Sequence, residues 1–274
     1  MSLCQSSPAS NGVSSDPLFP VPREQFLYDG SQQLCDLLDE AGRRAGVSRG
    51  QAFEDFLSCT VAALSNRQME EEYLAVVRKG YAEGQHGRRG IDSLTQAFGT
   101  LISLMEQTRR DVLGDLFQGG ITYGEAGQFL TSPEICQLMA ALTIDEQAEA
   151  QTVQDPCCGS GRMLLAYADN HRPRALVGQD IDLRCVRMTA INLALRNLYG
   201  FVLWGNSLAR EVKLGYRTGL NMYGGVIRYM RPGELAEQFG GPNEGDLPEP
   251  PQPTRTIALP AASPDGPARQ LHLF

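Results

Sequence analysis

The segment TVQDPCCGSGRMLLAYA, residues 152–168, constrains the fold more than any other part of the chain. Its first four residues favour a strand, and an apolar pattern with helical spacing follows the glycine turn. Gly159 and Gly161 let the backbone of such a turn approach a ligand closely, and a helix that begins at the turn presents unpaired N–H groups to it. This order of elements predicts a β-α-β unit with a ligand site at the turn.

Strand and helix patterns alternate after residue 150. The segments RALVGQD (174–180) and FVLWGNS (201–207) are typical of buried strands, and a helical pattern from Leu183 to Leu198 lies between them. GGVIRYM (224–230) is a candidate for one more strand, whereas REVKLGYRTG (210–219) does not have the pattern of a buried strand. Because strands that alternate with helices form parallel sheets, the sequence predicts an α/β fold.

An all-helical unit is predicted before this region. One helix ends at Gly46, a second follows Ser48, a third begins near Asn66, and a long helix runs from about Asp92 to Phe117. The chain therefore divides into a disordered segment 1–30, a helical domain 31–118, an α/β domain 119–240 and a disordered tail 241–274. The tail is assigned from its composition, since eight of the 33 residues from Pro242 onward are proline.

Charge is unevenly distributed along the chain. The net charge of −8 argues against a free-standing nucleic-acid binder. Residues 171–231, however, contain ten Lys and Arg against three acidic residues, a surplus of seven that leaves −15 for the rest. This basic stretch is suited to DNA phosphates; the alternative is that its arginines are solvated or pair with the acidic N-terminal half.

Composition also bears on location and on metal binding. No apolar run reaches the length of a membrane span, and the N-terminus has no apolar signal region. Seven cysteines without a C-x-x-C pair predict neither a disulfide framework nor a metal site, so we expect a cytoplasmic protein without a metal. Cys157 and Cys158 are interpreted as packing residues.

The acidic residues near the glycine turn indicate which cofactor it holds. Asp180 ends the next predicted strand, 19 residues after Gly161, where an acid typically binds ribose hydroxyls; Asp182 is a second candidate. Asp155 opens the turn, and no G-x-G-x-x-G occurs. A carboxylate there repels a pyrophosphate but accepts hydrogen bonds from an ammonium group, which favours S-adenosylmethionine over NAD or FAD. The alternative is a tight turn whose acid only caps the following helix.

Four segments in order, GQFLTSPEICQLM, DPCCGSGRMLL, GQDIDLRCVRMTAINLAL and GNSL, resemble the adenine-N6 DNA methyltransferases. The resemblance is to the modification subunit of type I restriction systems in particular, and it covers about residues 31–210. It implies a Rossmann-like S-adenosylmethionine methyltransferase fold, shorter here than is usual, after an all-helical domain. The cofactor-binding residues that it implies are Gln128, Phe129, Thr131, Asp155, Pro156, Gly159, Gly161, Asp180, Ile181 and Asn206.

The resemblance also gives these residues roles. The segment with Gln128, Phe129 and Thr131 would line the methionine pocket, although Ser132 stands where the family usually has proline. Asp155 would bind the amino group and Asp180 the ribose, with the two glycines beneath the cofactor. The adenine ring would pack on Ile181, and Asn206 would bond its amino group.

The residues that grip the target base in this family are missing from the sequence. Such enzymes flip an adenine and hold it with an Asn/Asp-Pro-Pro-aromatic tetrapeptide, and the 274 residues contain no such sequence. The nearest substitute is LNMYGG, with Asn221 and Tyr223 as candidate catalytic residues. The alternative is a glycine-rich turn with an exposed tyrosine.

The C-terminal sequence RQLHLF resembles the peptide with which bacterial proteins bind the DNA polymerase sliding clamp. Its matching residues are Gln270, Leu271, Leu273 and Phe274. A short extended peptide of this kind inserts two apolar side chains into a pocket of the clamp. A chance apolar terminus that packs back on the protein is the alternative.

Two functions from different classes follow. The first is an S-adenosylmethionine-binding adenine-N6 DNA methyltransferase with an altered catalytic motif, associated with DNA and with restriction or specificity subunits. The second is a non-enzymatic adaptor, a pseudo-methyltransferase tethered to the sliding clamp. A methyltransferase that acts on RNA or on small molecules is a third hypothesis, which the adenine-N6 motifs disfavour.

Overall fold

The computed structural model describes residues 26–122, 129–143, 152–171 and 173–240. The predicted disordered tail lies outside these residues, as does most of the predicted N-terminal segment. The described chain contains nine α-helices and five β-strands, which we label α1–α9 and β1–β5.

Five helices form the first part of the described chain, and the end of the first and the start of the second follow from the sequence. They are α1 (Ser31–Ala45), α2 (Arg49–Leu64), α3 (Glu70–Val76), α4 (Gly90–Thr108) and α5 (Val112–Leu116); π-helical turns extend α3 to Tyr81 and α5 to Thr122. Gly46 ends α1 with φ of 72°, and the Ser48 hydroxyl accepts a hydrogen bond from the Gln51 N–H at the start of α2. Both predictions are confirmed.

The prediction of a single helix from Asp92 to Phe117 is wrong. The helix ends at Thr108, Arg109 adopts a left-handed conformation with φ of 54°, and a new helix starts after Asp111. The Asp111 carboxylate accepts a hydrogen bond from the Gly114 N–H, so it is the N-cap of α5. The apolar spacing continues across this break, and the periodicity therefore conceals it.

The sheet has the strand order β1-β2-β3-β4-β5, which confirms the α/β class. The strands are β1 (Thr152–Asp155), β2 (Ala175–Asp180), β3 (Gly200–Trp204), β4 (Leu214–Asn221) and β5 (Gly224–Tyr229). The first three strands are parallel, as the alternation predicts, and β4 and β5 form an antiparallel hairpin beyond β3.

The interpretation of residues 210–219 as lacking a buried strand is wrong, because β4 begins at Leu214. The side chains of Tyr216 and Thr218 are buried, while Arg217 between them is half-buried. Glycines and charged residues in this segment mask an alternating pattern that is typical of an antiparallel strand with one buried face.

Helices cover both faces of the sheet. On one face, α7 (Arg162–Asn170) packs on β1 and β2, and α8 (Leu183–Leu195) packs on β2 to β5. The helix α6 (Pro133–Leu142) packs on α7, while α9 (Pro232–Phe239) covers part of the opposite face. Pro133 occupies the first turn of α6. A single apolar core continues from Phe53 of α2 through Ile191 of α8 to Val202 of β3.

The buried carboxylate of Asp111 joins the helical part to the α/β part. Its Oδ2 accepts hydrogen bonds from the Ser160 hydroxyl at 2.5 Å and from the Arg162 Nε at 2.7 Å. Its Oδ1 accepts from the Asn192 amide at 2.8 Å and from the Gly114 N–H at 2.8 Å. One side chain therefore holds together α5, the turn after β1, α7 and α8.

We predict that Asp111→Ala is strongly destabilising. The substitution leaves the buried Arg162 guanidinium without its ion pair, and breaking a buried pair in this way costs on the order of 3–5 kcal/mol. The measurement is the free energy of unfolding from urea titration. Glu211→Ala is the matched control, because it removes the half-exposed pair with Lys213 and should cost less than about 1 kcal/mol. Equal losses in the two variants would contradict this role of Asp111.

Candidate functional site

The turn after β1 lies across the carboxyl ends of the parallel strands. We call residues 155–161 the cofactor loop. The Cys158 N–H donates to the Gln179 carbonyl at 2.9 Å, and the Gly159 N–H donates to Asp180 Oδ2 at 2.9 Å. The loop is therefore fastened to the end of β2, and the carboxylates of Asp155 and Asp180 belong to one site.

Two glycines in the cofactor loop have backbone conformations that other residues rarely adopt. The φ angles are 55° at Gly159 and 87° at Gly161. A Cβ atom at Gly159 would lie 2.7 Å from Leu130 Cδ2, and one at Gly161 would lie 3.0 Å from Thr189 Cγ2. The loop shape and the tight packing beneath it therefore both require glycine.

Asp155 lies in an environment where a neighbouring cation would stabilise its carboxylate. Its Oδ1 accepts a hydrogen bond from the Cys157 N–H at 3.1 Å. Burial raises the pKa of Asp155 above its usual value, and the negative charge of Asp180 raises it further. An ammonium group beside Asp155 would offset both effects, so the site suits a ligand with an amino group.

Asp180 has a structural role in addition to the role expected from the sequence. Its Oδ2 accepts from the Gly159 N–H, and its Oδ1 accepts from the Asp182 N–H at 2.9 Å. Each oxygen retains a second lone pair that a ribose hydroxyl could use. Asp182, the other ribose candidate, caps α8 through the Arg184 N–H and forms an ion pair with the Arg184 guanidinium.

The residues expected beside the adenine ring differ in availability. Ile181 is 66% exposed and follows Asp180 directly, so an aromatic ring could pack on it. Asn206, in contrast, uses its Oδ1 to accept hydrogen bonds from the Leu208 and Ala209 N–H groups. This oxygen is the atom that an adenine amino group would need, and in this conformation it stabilises the turn after β3 instead.

The segment before α6 contributes to the same cleft. A cavity of about 150 Å³ is lined by Phe129 and Thr131 together with Asp155, Gly159 and Asp180. Pro156 is exposed in the loop. Gln128 lies outside the described residues.

Arg162 positions this segment, a role that is not among the predictions from the sequence. The side chain is buried, and its Nη1 donates to the Thr131 carbonyl at 3.0 Å while its Nε donates to Asp111. The guanidinium therefore holds residues 129–131 beside the cofactor loop. The sequence contains an indication of this role. Arg162 directly follows G-S-G, at a helix position where a buried apolar residue would be expected.

Asn221 and Tyr223 do not lie at the cofactor loop. They belong to the tip of the β4–β5 hairpin, where Asn221 Oδ1 accepts from the Tyr223 N–H and the Tyr223 side chain is 88% exposed. Since β4 runs antiparallel to β3, Leu214 is paired with the carboxyl end of β3, and Asn221 lies about 23 Å further along the strand. The proposal that these two residues grip the target base is corrected: they are turn residues at the opposite end of the sheet.

The cations of the basic stretch, residues 171–231, are partly paired with acidic residues. Four cations of the basic stretch form ion pairs: Arg184 with Asp182, Arg196 with Asp169, Lys213 with Glu211 and Arg228 with Glu234. These partners are close in sequence or belong to α7, so they are not the acidic residues of the N-terminal half.

The two adjacent cysteines differ from each other. Cys158 is buried and packs against Gly178, and burial raises the pKa of its thiol. Cys157 is exposed. The interpretation of both residues as packing residues is therefore correct for Cys158 and wrong for Cys157.

A comparison with known families assigns the segment that contains this site. Residues 108–215 match the family model for N-6 DNA methylases. The resemblance to adenine-N6 DNA methyltransferases is thereby confirmed over that segment. The match includes Asp111, the cofactor loop and the first three strands, and it supports S-adenosylmethionine as the cofactor.

Comparisons with other proteins and structures are weaker. A protein of Listeria monocytogenes named as a class I S-adenosylmethionine-dependent methyltransferase is 14% identical, with a TM-score of 0.39 over 70% of this chain and 60% of that one. The type I restriction-modification methyltransferase subunit of Streptococcus thermophilus is 12% identical, with a TM-score of 0.33 over 61% of this chain and 56% of that one. The chain thus spans less than two thirds of either protein. No curated protein sequence matches it significantly.

Among the described residues, none of the helices has both the length and the apolar character that crossing a membrane requires.

We predict that cofactor affinity falls as the pH is lowered through the raised pKa of Asp155. Below that pKa the carboxyl is protonated and no longer attracts an ammonium group, so the loss begins at a higher pH than for an ordinary aspartate. Calorimetric titration of S-adenosylmethionine at several mildly acidic pH values measures this dependence. Asp155→Asn should bind weakly at every pH tested, and an unchanged pH profile in that variant would refute the assignment.

Proposed function

We propose that this protein binds S-adenosylmethionine at the cofactor loop and is an adenine-N6 DNA methyltransferase-like protein that acts in association with DNA. The observation that carries the proposal is the juxtaposition of Asp155, the glycine turn and Asp180 at the carboxyl ends of β1 and β2. The family match over residues 108–215 supports adenine N6 as the acceptor class.

The residues of the site fit the parts of the cofactor. Asp155 would bind the amino group, since a cation beside its half-buried carboxylate would offset the burial that raises its pKa. The turn formed by Gly159 and Gly161 would lie beneath the cofactor, in the conformation that their positive φ angles allow. Asp180 would accept hydrogen bonds from the ribose hydroxyls, and Ile181 would pack on the adenine ring.

When bound, the cofactor would supply an activated methyl group for transfer to an acceptor nitrogen. The protein's contribution to such a reaction is to hold the two reactants in line and to exclude water. Asp155 and Asp180 would orient the cofactor, and Arg162, which donates to the Thr131 carbonyl, would keep residues 129–131 beside it.

We predict that calorimetric titration shows S-adenosylmethionine binding to the wild-type chain, and that Asp155→Ala binds about 10- to 100-fold more weakly. The factor corresponds to the loss of one charged hydrogen bond, about 1.5–3 kcal/mol. Asp169→Ala, at an exposed acid of α7, is the control and should bind as the wild type does. Absence of binding by folded wild-type protein would overturn the proposal.

A second pair of variants separates the two roles of Asp180. Asp180→Asn retains an oxygen that can accept from the Gly159 N–H, whereas Asp180→Ala retains none. We expect the alanine variant to lose both loop stability and cofactor affinity and the asparagine variant to lose less of each. Identical behaviour of the two variants would show that the hydrogen bond to Gly159 is unimportant.

The alternative function is a non-enzymatic adaptor that uses the same domain as a scaffold. The C-terminal peptide of Gln270, Leu271, Leu273 and Phe274 favours it, because this sequence resembles a ligand of the bacterial sliding clamp; the peptide lies outside the described residues. In either function the basic stretch 171–231 would contact DNA phosphates and restriction or specificity subunits would be partners.

We predict that deletion of residues 270–274 abolishes binding to a purified bacterial sliding clamp, measured by surface plasmon resonance. The deletion should leave S-adenosylmethionine affinity unchanged, which controls for folding. Clamp binding that survives the deletion would exclude this peptide as the tether.

A further inference from the structure

Arg162 lines the cofactor cleft and also a second cavity, of about 340 Å³. The walls of this second cavity come from the segment between α4 and α5, from α6 and α7, and from the end of α8. Arg162 is the one residue that its described lining shares with that of the cofactor cleft. Ligand sites in proteins enclose about 300–1,000 Å³, so the size of the second cavity suits a small molecule.

The second cavity is lined by more cations than acids. Its charged residues in the described chain are Arg109, Arg110, Arg162, Arg196, Asp111 and Asp169. Each of the two aspartates already forms an ion pair with a buried arginine. Arg109 and Arg110 are exposed, and neither forms an ion pair with any residue that the structure describes. The lining therefore carries a surplus of two positive charges, which attracts an anion.

The two buried arginines of the cavity each have a nitrogen that lacks an acceptor. The side chains of Arg162 and Arg196 are 7% and 5% exposed. Arg162 donates to Asp111 and to the Thr131 carbonyl, and Arg196 Nη1 donates to the Arg109 carbonyl at 2.9 Å. Among the described residues, however, Arg162 Nη2 and Arg196 Nε have no hydrogen-bond partner. Since an unpaired buried donor is unfavourable, an acceptor bound between these side chains would be stabilised.

The rest of the lining combines a phenol with apolar side chains. Tyr28 is half-buried there, and Leu165 and Ala166 line the same cavity. Burial raises the pKa of Tyr28, and the positive charges of Arg162 and Arg110 oppose that rise. The hydroxyl is therefore uncharged near neutral pH and can donate a hydrogen bond to an anion. The apolar side chains suit the organic part of such a ligand.

Charge and burial together indicate which anion fits. A phosphate monoester carries about −1.5 to −2 charges at pH 7, which matches the surplus of two, whereas a carboxylate carries a single charge. Guanidinium groups also bind phosphate oxygens through pairs of parallel N–H bonds. A DNA duplex is wider than the cavity, so its backbone phosphates could contact the exposed arginines but not the buried Arg162 and Arg196. The lining therefore favours a small phosphorylated molecule.

We infer that the second cavity is a binding site for a small phosphate monoester. The four arginines bind its phosphate group, and Tyr28 and the apolar side chains of α7 contact its organic part. The inference goes beyond the proposed function, because a phosphate site here requires neither S-adenosylmethionine nor DNA. A chain that binds no cofactor could still bind phosphate, and the reverse also holds.

Phosphorus NMR titration of the full chain with inorganic phosphate, in chloride buffer, tests the inference. We expect binding with a dissociation constant of about 1 mM or less. Sugar phosphates and pyrimidine mononucleotides then compete with it; they lack the adenine ring that the cofactor cleft is expected to bind, and at least one ester should bind more tightly than inorganic phosphate. Absence of phosphate binding by folded protein, or weaker binding of every ester, would overturn the inference.

A short DNA duplex distinguishes the phosphate of a small molecule from that of a nucleic-acid backbone. The duplex is added to the chain with inorganic phosphate bound, and the phosphate signal is followed. We expect the phosphate to stay bound, because the duplex cannot enter the cavity. Displacement of the phosphate by the duplex would show that the arginines serve DNA and would overturn the inference.

Two double variants with the same change in net charge assign the phosphate to the cavity. Arg109→Gln with Arg110→Gln removes the surplus of two and should weaken phosphate binding about ten-fold or more. Arg67→Gln with Arg88→Gln is the control, because these two exposed arginines do not line the cavity, and it should leave the affinity unchanged. All four side chains are exposed, so both variants should unfold at the wild-type temperature. Equal losses of affinity would overturn the inference.

A substitution with the opposite expected effect completes the test. Asp169→Asn removes the charge that is paired with Arg196 and increases the positive surplus of the lining. Phosphate binding should therefore become about two- to five-fold tighter. Weaker or unchanged binding in this variant would contradict the assignment of Arg196 to the phosphate site.

Discussion

The candidate site depends on the hydrogen bonds that the Asp111 carboxylate accepts. This carboxylate is buried, and it accepts hydrogen bonds from Ser160 in the cofactor loop, Arg162 at the start of α7 and Asn192 in α8. Through Arg162 it also reaches the Thr131 carbonyl, so the segment before α6 is held over the loop. The helical part of the chain thus fixes the shape of the cofactor cleft, and the two parts share one apolar core. Such a fully paired buried carboxylate is costly to break, and this explains how a loop with two left-handed glycines is kept in one conformation.

Much of the fold follows from the sequence because its patterns are local. The strand, glycine turn and helix at 152–168 and the alternation that follows predict β1, β2, β3 and β5 and the helices between them. Residues 210–219 could not be assigned to a strand, since β4 is an amphipathic antiparallel strand interrupted by glycines and charges. The break at Arg109 was also missed, because the apolar spacing on either side of it is continuous and only the capping role of Asp111 marks the new helix.

Some residues of the candidate site could likewise be predicted from the sequence, and others could not. Asp155, Gly159, Gly161 and Asp180 are predictable, since they lie at the ends of strands and in a turn with strict conformational needs. The placement of Asn221 and Tyr223 depends on the direction of β4, which no local pattern reveals, and it removes them from the site. The second roles of Asp180 and Asn206, as acceptors for nearby backbone N–H groups, likewise arise only from the folded geometry. Arg162 shows the reverse case, in which a charged residue at a buried position could have been noticed from the sequence.

These features describe a candidate cofactor site at the carboxyl ends of β1 and β2. The most direct test of cofactor binding at the cofactor loop is a crystal structure of the full chain with S-adenosylmethionine. We predict electron density for the cofactor across the cofactor loop, with its amino group within hydrogen-bonding distance of Asp155 and its ribose hydroxyls at Asp180. Cofactor bound elsewhere, or an empty loop at a saturating concentration of cofactor, would contradict it.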